Sequence, residues 1–133
     1  MLHSLAILVL RVATGGMMVA GHGWAKLVGF TDRLAAFPDP LGVGQGLSLS
    51  LAIFAEVICA ACLVVGFLTR LAAAPLLATM LVAAFAVHAA DPWSEKEKAL
   101  LYAVPFLALL LTGGGDYSVD ALLGQKRRRR PRL

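Results

Sequence analysis

The sequence predicts an all-α fold, a membrane-spanning four-helix bundle, and three observations lead there. The chain is 59% hydrophobic and only 15% charged, with mean hydropathy +0.80. A soluble domain runs nearer half apolar and a quarter charged, and 133 residues make a single domain too small to hide the excess. Four apolar stretches approach the ~20 residues that cross a ~30 Å hydrocarbon layer. Lys and Arg gather on one side of those stretches, as the positive-inside rule requires.

The first span runs from about residue 4 to 23 and contains Arg11. It does not read as a signal peptide, because no Lys or Arg precedes the apolar run and Arg11 interrupts it. A loop with Asp32, Arg33, Pro38, Asp39 and Pro40 follows, with room for one short helix after Thr31. The second span, about 47–68, contains Glu56, and only Thr69-Arg70 separates it from the third, about 71–90, which ends near His88. That spacing predicts a tight antiparallel hairpin. Pro75 is expected in the first turn of its helix, where proline is tolerated, and Pro105 in mid-helix, where it kinks. Asp91-Pro92-Trp93-Ser94 is a turn, and Ser94 with Glu97 fits a capping box opening the fourth span, about 96–112. Lys96 and Lys98 can snorkel at its mouth, with Trp93 at the interface. Gly113-Gly114-Gly115 ends it, and Tyr117 to Leu123 reads as a brief amphipathic turn. Residues 1–123 are thus the transmembrane domain and 124–133 a basic tail.

Six of the 12 Lys and Arg residues lie in that tail, at Lys126, Arg127, Arg128, Arg129, Arg130 and Arg132, leaving six against 8 acids in the body. The net charge of +4 is therefore a tail property. It points to anionic lipids, met through Lys126 and Arg127, rather than to nucleic acid, since no aromatic residue interleaves to stack on bases. Arg70 joins the tail on the side of the chain ends, while Lys26, Arg33, Lys96 and Lys98 lie opposite, offset by acids. This orientation puts both termini in the cytoplasm of a multi-pass protein of the plasma (inner) membrane.

Charges inside a span cost ~2.5–3.5 kcal/mol each on insertion scales, so Arg11 and Glu56 must face protein or water. With the first helix ending near His22, Arg11 lies ~16 Å from the outer end and Glu56 ~13 Å. The expectation is an ion pair, serving either register or function. Arg11, Gly15, Met18 and His22 fall on one helical stripe. His22 and His88 reach a similar outer level; interfacial histidines are preferred there to metal ligands, and no metal is expected. Cys59-Ala60-Ala61-Cys62 has redox spacing, but its apolar setting favours packing.

Several of these residues resemble the DoxX family. They are His22-Gly23-Trp24-Ala25-Lys26-Leu27, Ala55-Glu56, Gly66-Phe67-Leu68-Thr69-Arg70, His88, Leu111-Thr112-Gly113 and Asp116-Tyr117-Ser118-Val119-Asp120-Ala121-Leu122, in the family's order along nearly the whole chain. The cysteine pair and the Arg-rich tail depart from the family's pattern. The resemblance implies a four-helix membrane fold. It also implies either quinone-coupled sulfur oxidation, as in the small subunit of thiosulfate:quinone oxidoreductase, or thiol and oxidative-stress homeostasis beside soluble redox enzymes.

Two functions remain open: a membrane subunit of a quinone-linked oxidoreductase, and a non-catalytic scaffold for soluble redox partners. A small transporter would need an oligomer to form a pathway. No dinucleotide or haem motif is present in the sequence, so catalysis calls for protein partners or a homo-oligomer. The candidate catalytic residues are Arg11, Glu56 and His22. The candidate quinone-binding residues are His22, His88, Tyr102, Trp24 and Lys26. An outer pocket lined by Arg11, His22, Glu56, His88 and Tyr102 would suit a quinone head group, and the same residues could instead form a purely structural polar network.

Overall fold

The computed structural model describes residues 1–128, with side chains described as far as Lys126. Arg129, Arg130 and Arg132 of the basic tail, and the side chain of Arg127, lie outside the described residues.

Every regular element among the described residues is helical. Helix α1 spans Leu2–Val28, α2 Phe30–Leu34, α3 Gln45–Val65, α4 Thr69–Val87, α5 Trp93–Thr112 and α6 Val119–Arg128. The helices α1, α3 and α4 are each long and apolar enough to cross a membrane, and α5 is a fourth long helix of 20 residues. The bundle closes in chain order: α1 packs on α3, α3 on α4, α4 on α5, and α5 returns to α1. Met18, Leu49, Leu63, Leu76, Phe106 and Leu109 are fully buried within it. Leu101, Val104 and Leu111 are about two-thirds exposed, as expected of side chains that meet lipid instead of protein.

The first helix does not stop near His22. It continues to Val28 because Gly23 lets it lie directly on α3, where an added Cβ would sit 2.5 Å from the Glu56 carbonyl oxygen. The turn between α3 and α4 is Gly66 to Leu68, not Thr69-Arg70. Gly66 takes a left-handed conformation (φ 74°), and its N–H bonds Cys62 O at 2.9 Å, closing the helix end. Since α4 begins at Thr69, Pro75 is its seventh residue and lies beyond the first turn. The expected capping box is also absent: Pro92 precedes the first residue of α5 and no side chain caps it. The proline's fixed φ (−56°) is already suited to helix entry.

Three helices share an irregularity. Each contains a π-helical turn with i→i−5 hydrogen bonds: Val19–Gly23 in α1, Phe54–Cys59 in α3 and Ala83–Val87 in α4. Trp24 N–H donates to Val19 O, Ala60 N–H to Ala55 O and His88 N–H to Ala83 O. Such turns are rare and cluster at functional sites.

Candidate functional site

The structure divides the candidate residues among three places. The first is a polar knot on the side of the chain ends. Arg11 is completely buried there, and its guanidinium donates to Leu63 O and Val64 O at 3.0 Å each and to Tyr117 O at 2.5 Å. Helix ends leave their last carbonyls unpaired and partially negative, so Arg11 serves as the cation at the end of α3. The knot is tightened from α6. Asp120 accepts from the Leu68 and Thr69 N–H groups at 2.7 and 2.9 Å, capping α4, while its own N–H donates to Gly66 O at 2.9 Å. Arg70 caps α5 through Leu111 O at 3.0 Å, and Ser4 donates to Asp116.

The expected Arg11–Glu56 ion pair therefore does not form. Arg11 reaches the last carbonyls of α3, whereas Glu56 pairs with Lys26, Nζ to Oε2, at 2.5 Å. The cause is the length of α1. Its extension past His22 carries Lys26 to the level of Glu56 and leaves Arg11 farther toward the chain ends.

The second place is an aromatic contact between α1 and α5. His22 meets Tyr102 edge-on, ring centroids 5.2 Å apart, and Tyr102 stacks on Phe106 at 6.1 Å. Trp24 is more than half exposed and lies outside both this contact and the cavity described next.

The third is a cavity of about 620 Å³ between the end of α1, the 37–41 loop, α3 and α4. Its walls are mostly apolar, among them Phe37, Leu51, Phe54, Pro75 and Val82. Leu51 and Phe54 are also about half exposed, so this is an open groove on spans whose surroundings are lipid. Lys26, Glu56 and His88 line it as well. The Glu56 side chain is 5% exposed and that of Lys26 19%, so the pair is nearly dry. His88 Nδ1 lies 2.6 Å from Asp91 Oδ2 just beyond the end of α4. Of the five residues expected around one pocket, Glu56 and His88 line this cavity, and Arg11, His22 and Tyr102 do not.

Each of the three π-helical turns belongs to the half of the bundle opposite the chain ends. His22 and Glu56 lie within two of them, and His88 directly follows the third. A π turn widens the helix by one residue, which re-aims the side chains beyond it. The 37–44 loop is held by Asp39, whose carboxylate accepts from Ser48 Oγ at 2.7 Å, Gly44 N–H at 2.8 Å and Val43 N–H at 3.0 Å. The Ser48 hydroxyl, followed by these backbone donors, holds the Asp39 carboxyl below its ordinary range. Periodicity in the sequence showed neither the π turns nor the Lys26–Glu56 pair. The one available signal was Lys26 itself, four residues after His22 and in reach of the same helix end.

The model of the DoxX family matches residues 6–89. Among curated proteins, the inner membrane protein YqjF of Escherichia coli (strain K12) is 30% identical over 131 residues, covering 94% of this chain and 97% of that protein. No solved structure matches.

Proposed function

The chain belongs to the DoxX family, and from that premise we propose that it is an inner-membrane subunit of a redox assembly that binds a quinone drawn from the bilayer. The observation that carries this reading is the open apolar cavity with a nearly dry ion pair in its wall. Its volume of about 620 Å³ falls in the range of small-molecule sites, which combine apolar walls with few polar groups. A quinone has the matching shape, a flat polar head on an apolar tail. The tail would lie along Leu51 and Phe54 and leave toward lipid, and Lys26 and His88 would bond the head. When bound, such a ligand supplies a carrier of two electrons and two protons. Glu56 and His88 can exchange protons with it, and a soluble partner would supply the electrons.

The inner-membrane location rests on the likeness to the bacterial relative, and the orientation on the distribution of charge. Arg70 and the tail lie on the side of the chain ends, which favours cytoplasmic termini.

A short-chain quinone analogue titrated into detergent-purified protein tests the reading. Binding is expected in the wild type, with loss in Ala78→Trp, which fills the cavity from an exposed wall position. Equal binding by both proteins, or binding by neither, would refute the site.

One observation favours a second reading, as scaffold. Helix α6 exposes Leu122 (59%) and Leu123 (47%) and leads into the basic run beginning at Lys126. This combination suits a helix lying at an anionic lipid surface, beside which a soluble enzyme could dock. On that reading, removing residues 124–133 would release co-purifying proteins and leave quinone binding unchanged.

A further inference from the structure

We infer that the outer cavity selects the reduced, hydroxyl-bearing form of its ligand, a quinol, over the oxidised quinone; this rests on the quinone-site reading above. Of the two Glu56 carboxylate oxygens, Oε2 is engaged by Lys26 at 2.5 Å, and Oε1 has no partner among the described residues. A carboxylate oxygen facing an ammonium acts as a hydrogen-bond acceptor. Just beyond the end of α4, the Asp91 carboxylate lies 2.6 Å from His88 Nδ1. That contact occupies Nδ1 and leaves Nε2 as the other ring nitrogen. The cavity wall therefore offers an acceptor at Glu56 Oε1, directly beside the Lys26 ammonium.

A quinone carbonyl also only accepts, and placed against Glu56 Oε1 it would leave two acceptors facing each other in a nearly dry wall. A quinol hydroxyl both donates and accepts. It can donate to Glu56 Oε1 and accept one of the remaining Lys26 N–H bonds, so the ion pair is completed instead of opposed. The adjacent apolar wall makes this difference count, because an unmatched polar group removed from water is costly.

The test measures binding of a decyl-substituted benzoquinone, and of its benzoquinol held reduced under anaerobic conditions, to the purified full-length protein. The quinol is expected to bind at least about tenfold more tightly, the factor made by ~1.4 kcal/mol in a dissociation constant. In Glu56→Gln the ratio should fall toward one, because the amide can donate to a carbonyl. The double variant Lys26→Gln/Glu56→Gln removes the charge that the single change strands, so a folding defect in the single variant does not decide the outcome. Equal binding of the two forms, or tighter binding of the quinone, overturns the inference while leaving a quinone site. A ratio unchanged in both variants also overturns it, because Glu56 then does not set the preference. Binding of neither form by the wild type defeats the quinone-site reading and the inference together.

Discussion

Gly66→Ala should be among the most destabilising single-methyl additions in this protein. Two costs combine at this position. The residue sits at φ 74°, where an L side chain costs about 1–2 kcal/mol. The added Cβ would also lie 2.5 Å from both Arg11 Nη1 and Ser118 Cβ, so the guanidinium must move off its carbonyls. Loss of one charged hydrogen bond there costs about 1.5–3 kcal/mol more, giving a total of about 2.5–5 kcal/mol. Gly42→Ala is the internal control: it has a similar φ of 67°, but its Cβ would meet nothing within 4 Å, so only the first cost of about 1–2 kcal/mol applies. The assay is equilibrium unfolding in mixed detergent micelles, followed by tryptophan fluorescence and circular dichroism. If the two variants lose the same stability, the packed Arg11 knot is not what makes position 66 sensitive, and the reasoning fails.

Three further outcomes are expected. In double-mutant cycles, Lys26→Met with Glu56→Gln should show a coupling of about 1–3 kcal/mol, while Arg11→Met with Glu56→Gln should add within about 0.5 kcal/mol; the reverse pattern would restore the pairing that the structure excludes. Because the Asp39 carboxyl is held below its ordinary value of 3.8 in the folded loop, its contribution is complete above that value and is lost as pH falls through the lower folded one. Proteolysis of the 37–44 loop should accordingly be flat from about pH 5 to 8 and rise only in stronger acid, a rise missing in Asp39→Asn. A thiol label confined to the outer face should modify a cysteine placed at Ser94 and miss one at Gln125 once Cys59 and Cys62 are replaced by Ala; opposite labelling would reverse the assigned orientation.

The helices were legible in the sequence because lipid imposes a simple length criterion, and Arg11, His22, Glu56 and His88 stood out because charge or polarity in a span is costly. Their partners were not legible. The end of α1 could not be read from periodicity, since Trp24 and Lys26 suit an interface as well as another helical turn. The extra turn of helix there exchanged Lys26 for Arg11 as the partner of Glu56. The π turns leave no sequence signature of their own, and the 3.6-residue period used to align Arg11 with His22 fails across Val19–Gly23. The acceptors for Arg11 are main-chain carbonyls, which every residue carries, so only the fold could select Leu63, Val64 and Tyr117. Asp120 was visible as part of a motif, while its capping of α4 depends on contact across 51 residues of chain.

The three π turns have a consequence for how this bundle can vary. An extra residue in a turn rotates everything beyond it by about 100° relative to an uninterrupted α-helix. In α1, α3 and α4 the portion near the chain ends and the portion beside the cavity are therefore phased separately, like two dials on one shaft. The portion around Arg11 can keep its register while the other portion presents a different set of side chains to the cavity. Chimeras joined at Val19–Gly23, Phe54–Cys59 and Ala83–Val87 would thus be able to exchange ligand preference between relatives without repacking the half that holds the helices together.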